Sequence, residues 1–352
     1  MTPRLTGVTG VARYAVELPA ELERQGVSVR RYALGRAIRP VPDGLRRVRT
    51  PLRVLHALWA RGERPAIERL VGPADVFHTL DLVAPPTRGP SVATVHDLDA
   101  LDYPELHSPR RVRTQRAQFA ALHRVSVVLS DSQATKDALC RRGIDPDRVI
   151  VTSLGVTSGV TSFGVASPGR PYLLTVGTVD RRKGQDVLFH ALAGLPDLGA
   201  VVAGPDQWQA DEIHRTARQA GVDDRVRFAG HVSDAQLAEL YRGAAVVCVP
   251  SRAEGFGLPL LEAMAAGAPV VASDLPALRE VGGDAVRFVP PGDAGALATE
   301  VQAVLADDRL RAVMVAAGRA RAATYRWSNV ALATIAAYER ALGASSSPGR
   351  SR

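Results

Sequence analysis

Pro250-Ser251-Arg252-Ala253-Glu254-Gly255-Phe256-Gly257-Leu258-Pro259-Leu260-Leu261-Glu262-Ala263-Met264 follows the apolar run 245–249. The run reads as a buried strand, the glycine-punctuated stretch as a turn, and Pro259 as the first helical position. The unpaired N–H groups of such a helix start point back into the turn and attract anions. Glu254 then sits in the loop and Glu262 about one turn into the helix. Carboxylates accept hydrogen bonds from hydroxyls, so the pair suits a sugar or a ribose better than a phosphate. For either glutamate alone, a solvated loop acid or an acid stabilised by the helix dipole is the plainer reading. The two together around a glycine-rich turn favour a site.

Working outward, strand-like runs at 172–176, 200–203, 225–229, 245–249, 269–272 and 285–289 alternate with helical stretches at 185–193, 207–219, 234–242 and 259–266. Alternation of this kind specifies a doubly wound parallel sheet. A first series, at 27–32, 76–79, 92–95, 125–130 and 149–152, specifies another. It opens with a loop, 6–10, and a helix over 12–25 that Pro19 should kink. The apolar strand that ordinarily starts such a domain is missing. The expected organisation is an N-terminal Rossmann-like domain (1–155), a linker rich in Gly, Ser and Thr (156–170) and a second Rossmann-like domain (171–325). A C-terminal helix (326–343) returning to the first domain and a disordered polar tail (344–352) complete it. Two such domains make a cleft, where ligands of open α/β sheets bind.

At 352 residues, 46% hydrophobic and 23% charged, the chain is long enough for two cores and is neither disordered nor collagen-like. No apolar run reaches the length of a membrane span, and no secretory signal opens the chain, so a cytoplasmic location is expected. Cys140 and Cys248 read as ordinary core thiols. The net charge of +8 invites a nucleic-acid partner, but the acids are interspersed and no basic tail or aromatic-basic repeat occurs, which argues against one. The segment 109–124, with Arg110, Arg111, Arg113, Arg116 and Arg124, reads first as a solvated helix. Second, it reads as a peripheral contact with an anionic membrane surface.

Of 44 basic residues only Lys136 and Lys183 are lysine, which makes Lys183 conspicuous. It stands with Arg182 between a strand end and a helix, where an ammonium and a guanidinium fork neutralise a diphosphate together; a solvated basic turn is the plainer alternative. His96 follows the strand 91–95, placed either to project into the cleft or to pack at the strand end. Asp97-Leu98-Asp99 imitates a metal-binding Asp-x-Asp, a reading we discount. Gly10 permits close backbone approach to a phosphate. Gly230-His231-Val232 follows another strand end.

Glu254, seven intervening residues and Glu262, in the setting Glu-Gly-Phe-Gly-Leu-Pro, resemble the signature of retaining family 4 glycosyltransferases, which carry the GT-B fold. Segments 176–184, 96–98 and 10–14 resemble that family's donor phosphate loop, acceptor-side loop and N-terminal glycine loop, in the mannosyltransferase-B-like branch. The resemblance implies transfer of a hexose such as mannose, with retention, from a GDP- or UDP-linked sugar to an acceptor alcohol on a glycan or lipid-linked intermediate. It also implies that no metal or other cofactor takes part. His96, Lys183 and Glu254 are the implied catalytic residues. Gly10, Arg182, Lys183, Phe256, Gly257 and Leu258 are assigned to the diphosphate, and Gly230, His231, Val232 and Glu262 to the nucleoside. A sugar-nucleotide epimerase or hydrolase on the same fold, and a non-catalytic sugar-nucleotide-binding subunit, are the rival readings.

Overall fold

The computed structural model describes residues 10–34, 45–48, 54–55, 58–59, 61, 64–156 and 170–346. It divides into two compact units. One comprises Met1–Pro104, Pro109–Gly155 and Trp327–Arg352, the other Glu105–Ser108 and Val156–Arg326. The stretches 1–9 and 347–352, and most of the expected linker (157–169), lie outside the described residues.

In the first unit, helix α1 (Gly10–Arg24) is followed by strands β1 (Arg31–Leu34) and β2 (Leu45–Val48), and then by β3 (Phe77–Thr79), β4 (Ser91–Val95), β5 (Val127–Ser130) and β6 (Val149–Val151). All pairings are parallel, but they form two sheets, β1-β2 and β3-β4-β5-β6. Among the described residues no strand pairs with the free edges of β1 and β3. A cavity of about 800 Å³, lined by Tyr32 of β1, Phe77 of β3 and Leu18 of α1, borders both edges. β4 and β5 are buried throughout, consistent with the covered faces of a parallel sheet.

The first strand begins later than the hydrophobicity suggests. Gly26 adopts φ +85°, the N–H of Val27 donates to the Leu22 carbonyl at 3.0 Å, and that of Gly26 to Glu23 at 3.0 Å. These bonds close α1 as a Schellman cap, so Val27 belongs to the helix end.

In the second unit, β7 (Tyr172–Val176), helix α2 (Gln185–Ala193), β8 (Gly199–Ala203), β9 (Val226–Gly230), β10 (Val246–Val249), helix α3 (Leu258–Ala266), β11 (Val270–Ser273) and β12 (Arg287–Val289) build one parallel sheet. Its order is β12-β11-β10-β7-β8-β9. This is the doubly wound order of a Rossmann fold, and the direction of winding reverses between β7 and β10. The core joins Leu173, Val202 and Val246 of the sheet to Leu188, Phe189 and Leu297 of the helices. Gln209 adopts φ +66° and caps a helix that begins at Ala210, three residues later than expected.

Helix α4 (Trp327–Ser346) belongs to the first unit, where it packs on α1, β4 and β5. It continues three residues into the stretch expected to be a disordered tail. Ala337 and Ala341 are buried against Val92, Val127 and Leu129, and this apolar footing carries the helix past its expected end. No helix among the described residues is long and apolar enough to cross a membrane.

Candidate active site

At the reversal point of the second unit, the chain leaves β7 through Gly177–Gly184 and leaves β10 through Pro250–Gly257. Backbone geometry brings the two loops together. Gly184 has φ +68°, and a Cβ placed there would lie 2.0 Å from the Pro250 carbonyl oxygen. The Arg252 N–H donates to the Arg182 carbonyl at 2.8 Å. The Arg252 guanidinium forks onto Asp186 of α2 at 2.7 and 2.6 Å and also donates to the Arg181 carbonyl at 2.9 Å. Asp180 accepts from the Lys183 N–H at 3.2 Å and so caps the turn that carries Lys183.

This scaffold sets Lys183 Nζ 2.5 Å from Glu254 Oε1, which also accepts from Ser251 Oγ at 2.8 Å. Arg182 Nη1 lies 3.8 Å from Glu254 Oε2. The Lys183 and Glu254 side chains are only 12% and 7% exposed. Burial opposes ionisation of Glu254, but the charges of Lys183 and Arg182 outweigh it and hold the carboxyl below its ordinary range. The sequence assigns Lys183 to a phosphate and Glu254 to a sugar separately. The structure makes them one ion pair.

Helix α3 begins at Leu258, so Pro259 is its second residue, not its first. Gly257, at φ +99°, is the cap, and its carbonyl accepts from Leu260 at 3.0 Å and Leu261 at 3.2 Å. Among the described residues the N–H groups of Phe256, Gly257 and Leu258 donate to no protein acceptor, which leaves them for an anion. Phe256 contributes its backbone only, because its ring is buried against Tyr325 at 6.0 Å. Glu262 Oε2 accepts from Tyr241 at 2.9 Å. Gly230 ends β9 at φ +62° with open space around it, and its carbonyl accepts from Gly204 at 2.8 Å. His231 is exposed and Val232 buried, so this turn offers an accessible backbone and ring.

In the first unit His96 does not stand free. Its Nδ1 lies 2.7 Å from Asp131 Oδ2 and its Nε2 3.2 Å from the Leu80 carbonyl, with Tyr14 edge-on at 5.0 Å between centroids. Burial alone would lower its pKa, but Asp131, with Asp81 and Asp97, raises it to about 9. His78, on the adjacent strand, bonds Tyr338 and Thr94 hydroxyls at 2.8 Å each, and burial pushes it down to about 3. Asp97 Oδ1 accepts from the Asp99 N–H at 3.2 Å and from Gln115 at 3.3 Å, so Asp97 closes an Asx turn at the start of the short helix Asp99–Asp102. Gly10 is the first residue of α1 rather than a loop residue before it.

Cys248 is buried and its thiol pushed up to about 12, as a core residue requires; Cys140 is partly buried. Sequence reasoning does not single out Ser251, Arg252, Asp186, Tyr241 or Asp131 as site residues. Asp131 carries a hidden signal. Val95 pairs with Ser130 across β4 and β5, so the residues that follow them, His96 and Asp131, leave the sheet side by side.

The family model for glycosyl transferases group 1 matches residues 163–321, and that for glycosyltransferase family 4 matches residues 8–158. O-antigen chain mannosyltransferase B of Escherichia coli is 30% identical over 283 residues, 75% of this chain and 74% of that protein. Among solved structures, sucrose-phosphate synthase from Thermosynechococcus elongatus superposes with a TM-score of 0.75 at 25% identity, covering 96% of this chain and 95% of its own. Anabaena HepE, solved in complex with UDP-glucose, gives 0.74 at 21% identity over 97% and 98%. With both units matched in sequence and the Rossmann order observed in the second, the chain belongs to glycosyltransferase family 4 and is a glycosyltransferase of the GT-B fold.

Proposed function

We propose that this glycosyltransferase moves a hexose, mannose first among the candidates, from a GDP- or UDP-linked donor to an acceptor alcohol on a glycan or lipid-linked intermediate, with retention. The observation that carries the reading is the loop 250–258. Its unpaired N–H groups at Phe256, Gly257 and Leu258 lie in the same loop as the carboxylate that holds Lys183. That is a receptor for a diphosphate with its countercharge in place. HepE binds UDP-glucose on the same fold, which supports a nucleotide-sugar donor, and the Escherichia coli relative is a mannosyltransferase, which supports mannose.

In this reading the diphosphate takes the loop N–H groups and Lys183 exchanges Glu254 for a phosphate oxygen. Glu254, released, accepts from hydroxyls of the sugar. Glu262 accepts from the ribose, and the Gly230–Val232 turn holds the base. As the bond from the anomeric carbon to the diphosphate breaks, negative charge grows on the leaving oxygen. Lys183, Arg182 and the start of α3 stabilise it. The acceptor oxygen bonds the same face of that carbon and its proton passes to the departing diphosphate, so no enzymic nucleophile is required. Gly10 contributes backbone to the diphosphate, and His96 positions hydroxyls of the acceptor. The exposed Arg110, Arg113 and Arg116 on the helix Pro109–Ala121 suit an anionic bilayer, which fits a lipid-linked acceptor at the inner face of a membrane.

Thermal-shift screening of GDP- and UDP-sugars identifies the donor, and the anomeric configuration of the product tests retention. Turnover that survives a chelator is expected. An inverted product, or stabilisation by no nucleotide sugar, overturns the reading.

A further inference from the structure

We propose that the His96–Asp131 pair holds two protons through neutral pH, so that His96 presents an N–H and not a lone pair at Nε2, and that Asp131 is the positioning residue that keeps it so. The hydrogen-bond partners decide this. Nε2 faces the Leu80 carbonyl at 3.2 Å, which can only accept, so Nε2 must bear a proton. Nδ1 faces Asp131 Oδ2 at 2.7 Å, and one proton is needed between those two atoms as well. Removing either proton sets two lone pairs against each other in a site where the His96 side chain is 10% and the Asp131 side chain 2% exposed.

The surrounding charges agree. Asp81, after β3, and Asp97, beside His96, favour a cationic ring, which in turn helps to hold His78 neutral; Tyr14 of α1 covers the ring edge-on. Burial raises the Asp131 carboxyl, and the imidazolium pulls it back. His78 supplies a contrast within the same unit. Both its partners are hydroxyls, of Tyr338 and Thr94, which donate as readily as they accept, so His78 is satisfied while neutral.

The consequence, which rests on the proposed transfer reaction, is that a hydroxyl oxygen replacing the Leu80 carbonyl at Nε2 meets a donor, and His96 is no general base. A base with the usual histidine pKa would switch on near pH 6.5. His96 has no such lone pair to offer.

The test is a two-bond proton–nitrogen correlation of the histidine rings in the full chain, titrated from about pH 6 to about pH 8.5, with His96→Gln and His78→Gln assigning the signals. His96 should keep a protonated Nε2 and a protonated or proton-sharing Nδ1 across the range. A His96 ring that gives up a proton near pH 6.5 overturns the proposal. Asp131→Asn should bring the His96 midpoint down to about 6.5 or below, and an unchanged midpoint removes Asp131 from its role. Asp131→Ser replaces it if the asparagine variant does not fold, and the titration of the unaltered chain decides the first half in either case. The turnover number should lack a rising limb near pH 6.5. A chain that transfers no sugar yet shows the doubly protonated ring breaks the proposed function and leaves the pair standing.

Discussion

Two neighbouring parallel strands make the ion pair in each unit, yet the pairs differ in kind. In the second unit, loops leaving β7 and β10 at the winding reversal bring Lys183 to Glu254 beside unpaired backbone N–H groups. In the first, loops leaving β4 and β5, which do not flank a reversal, bring His96 to Asp131 beneath Tyr14. The Lys183 pair has an incoming anion to exchange for its carboxylate. The His96 pair has both ring nitrogens on protein partners, while Asp131 Oδ1 is buried without a hydrogen-bond partner among the described residues. Strand adjacency therefore places a pair, and the backbone around it decides whether the pair binds a ligand or orients a side chain.

The largest effect expected along this comparison is at Gly184. Gly184→Ala should cost roughly 3 kcal/mol or more, combining left-handed strain with a collision against the Pro250 carbonyl, and should abolish nucleotide binding. Gly143, at φ +88° with nothing within 4 Å, isolates the conformational part, and Gly143→Ala should cost about 1 to 2 kcal/mol. Equal losses in thermal unfolding would mean that the contact between the two loops is unimportant.

Next comes pH, which should act on the first unit through its two histidines in opposite senses. His96 has a raised folded pKa, so its contribution is complete below about pH 6.5 and is lost as pH rises through about 9, a change of roughly 3 kcal/mol. His78 has a depressed one, so stability falls as pH drops from about 6.5 toward about 3. Denaturant unfolding should therefore show a maximum near pH 6.5, which His96→Gln flattens on the alkaline side only. A symmetric loss would contradict the assignment.

Lys183→Ala should weaken UDP or GDP binding by about 1.5 to 3 kcal/mol, roughly 10- to 150-fold, in calorimetry. Glu254→Gln should spare the free nucleoside diphosphate and weaken the sugar nucleotide. If both variants bind both ligands as the parent does, the ion pair is structural and takes no part in donor binding. The smallest effect is at Tyr241, whose hydroxyl donates to Glu262. Tyr241→Phe should cost about 1 kcal/mol in nucleotide affinity, equally for every nucleotide carrying the same ribose.

Much of the fold and part of the site are legible in the amino-acid sequence. Alternating apolar runs specify parallel α/β sheets because buried parallel strands need apolar residues on both faces and a helix between them. The glycine-rich turn between β10 and α3 is visible because Gly257 needs a left-handed backbone that other residues resist. The start of β1 is not legible. Val27 is as apolar as a strand residue, and only the hydrogen bond it makes to Leu22 assigns it to the cap of α1.

The amino-acid sequence by itself determined the α/β class, the Glu254 loop and the conspicuous Lys183. Each depends on local periodicity, backbone freedom or composition, which neighbouring residues express directly. The tertiary structure alone decided partners. Lys183 and Glu254 are 71 residues apart, and His96 and Asp131 are 35 apart. Their meeting depends on which strands lie side by side and in what register. Strand order follows from packing the whole sheet against its helices, so no local stretch of sequence encodes it.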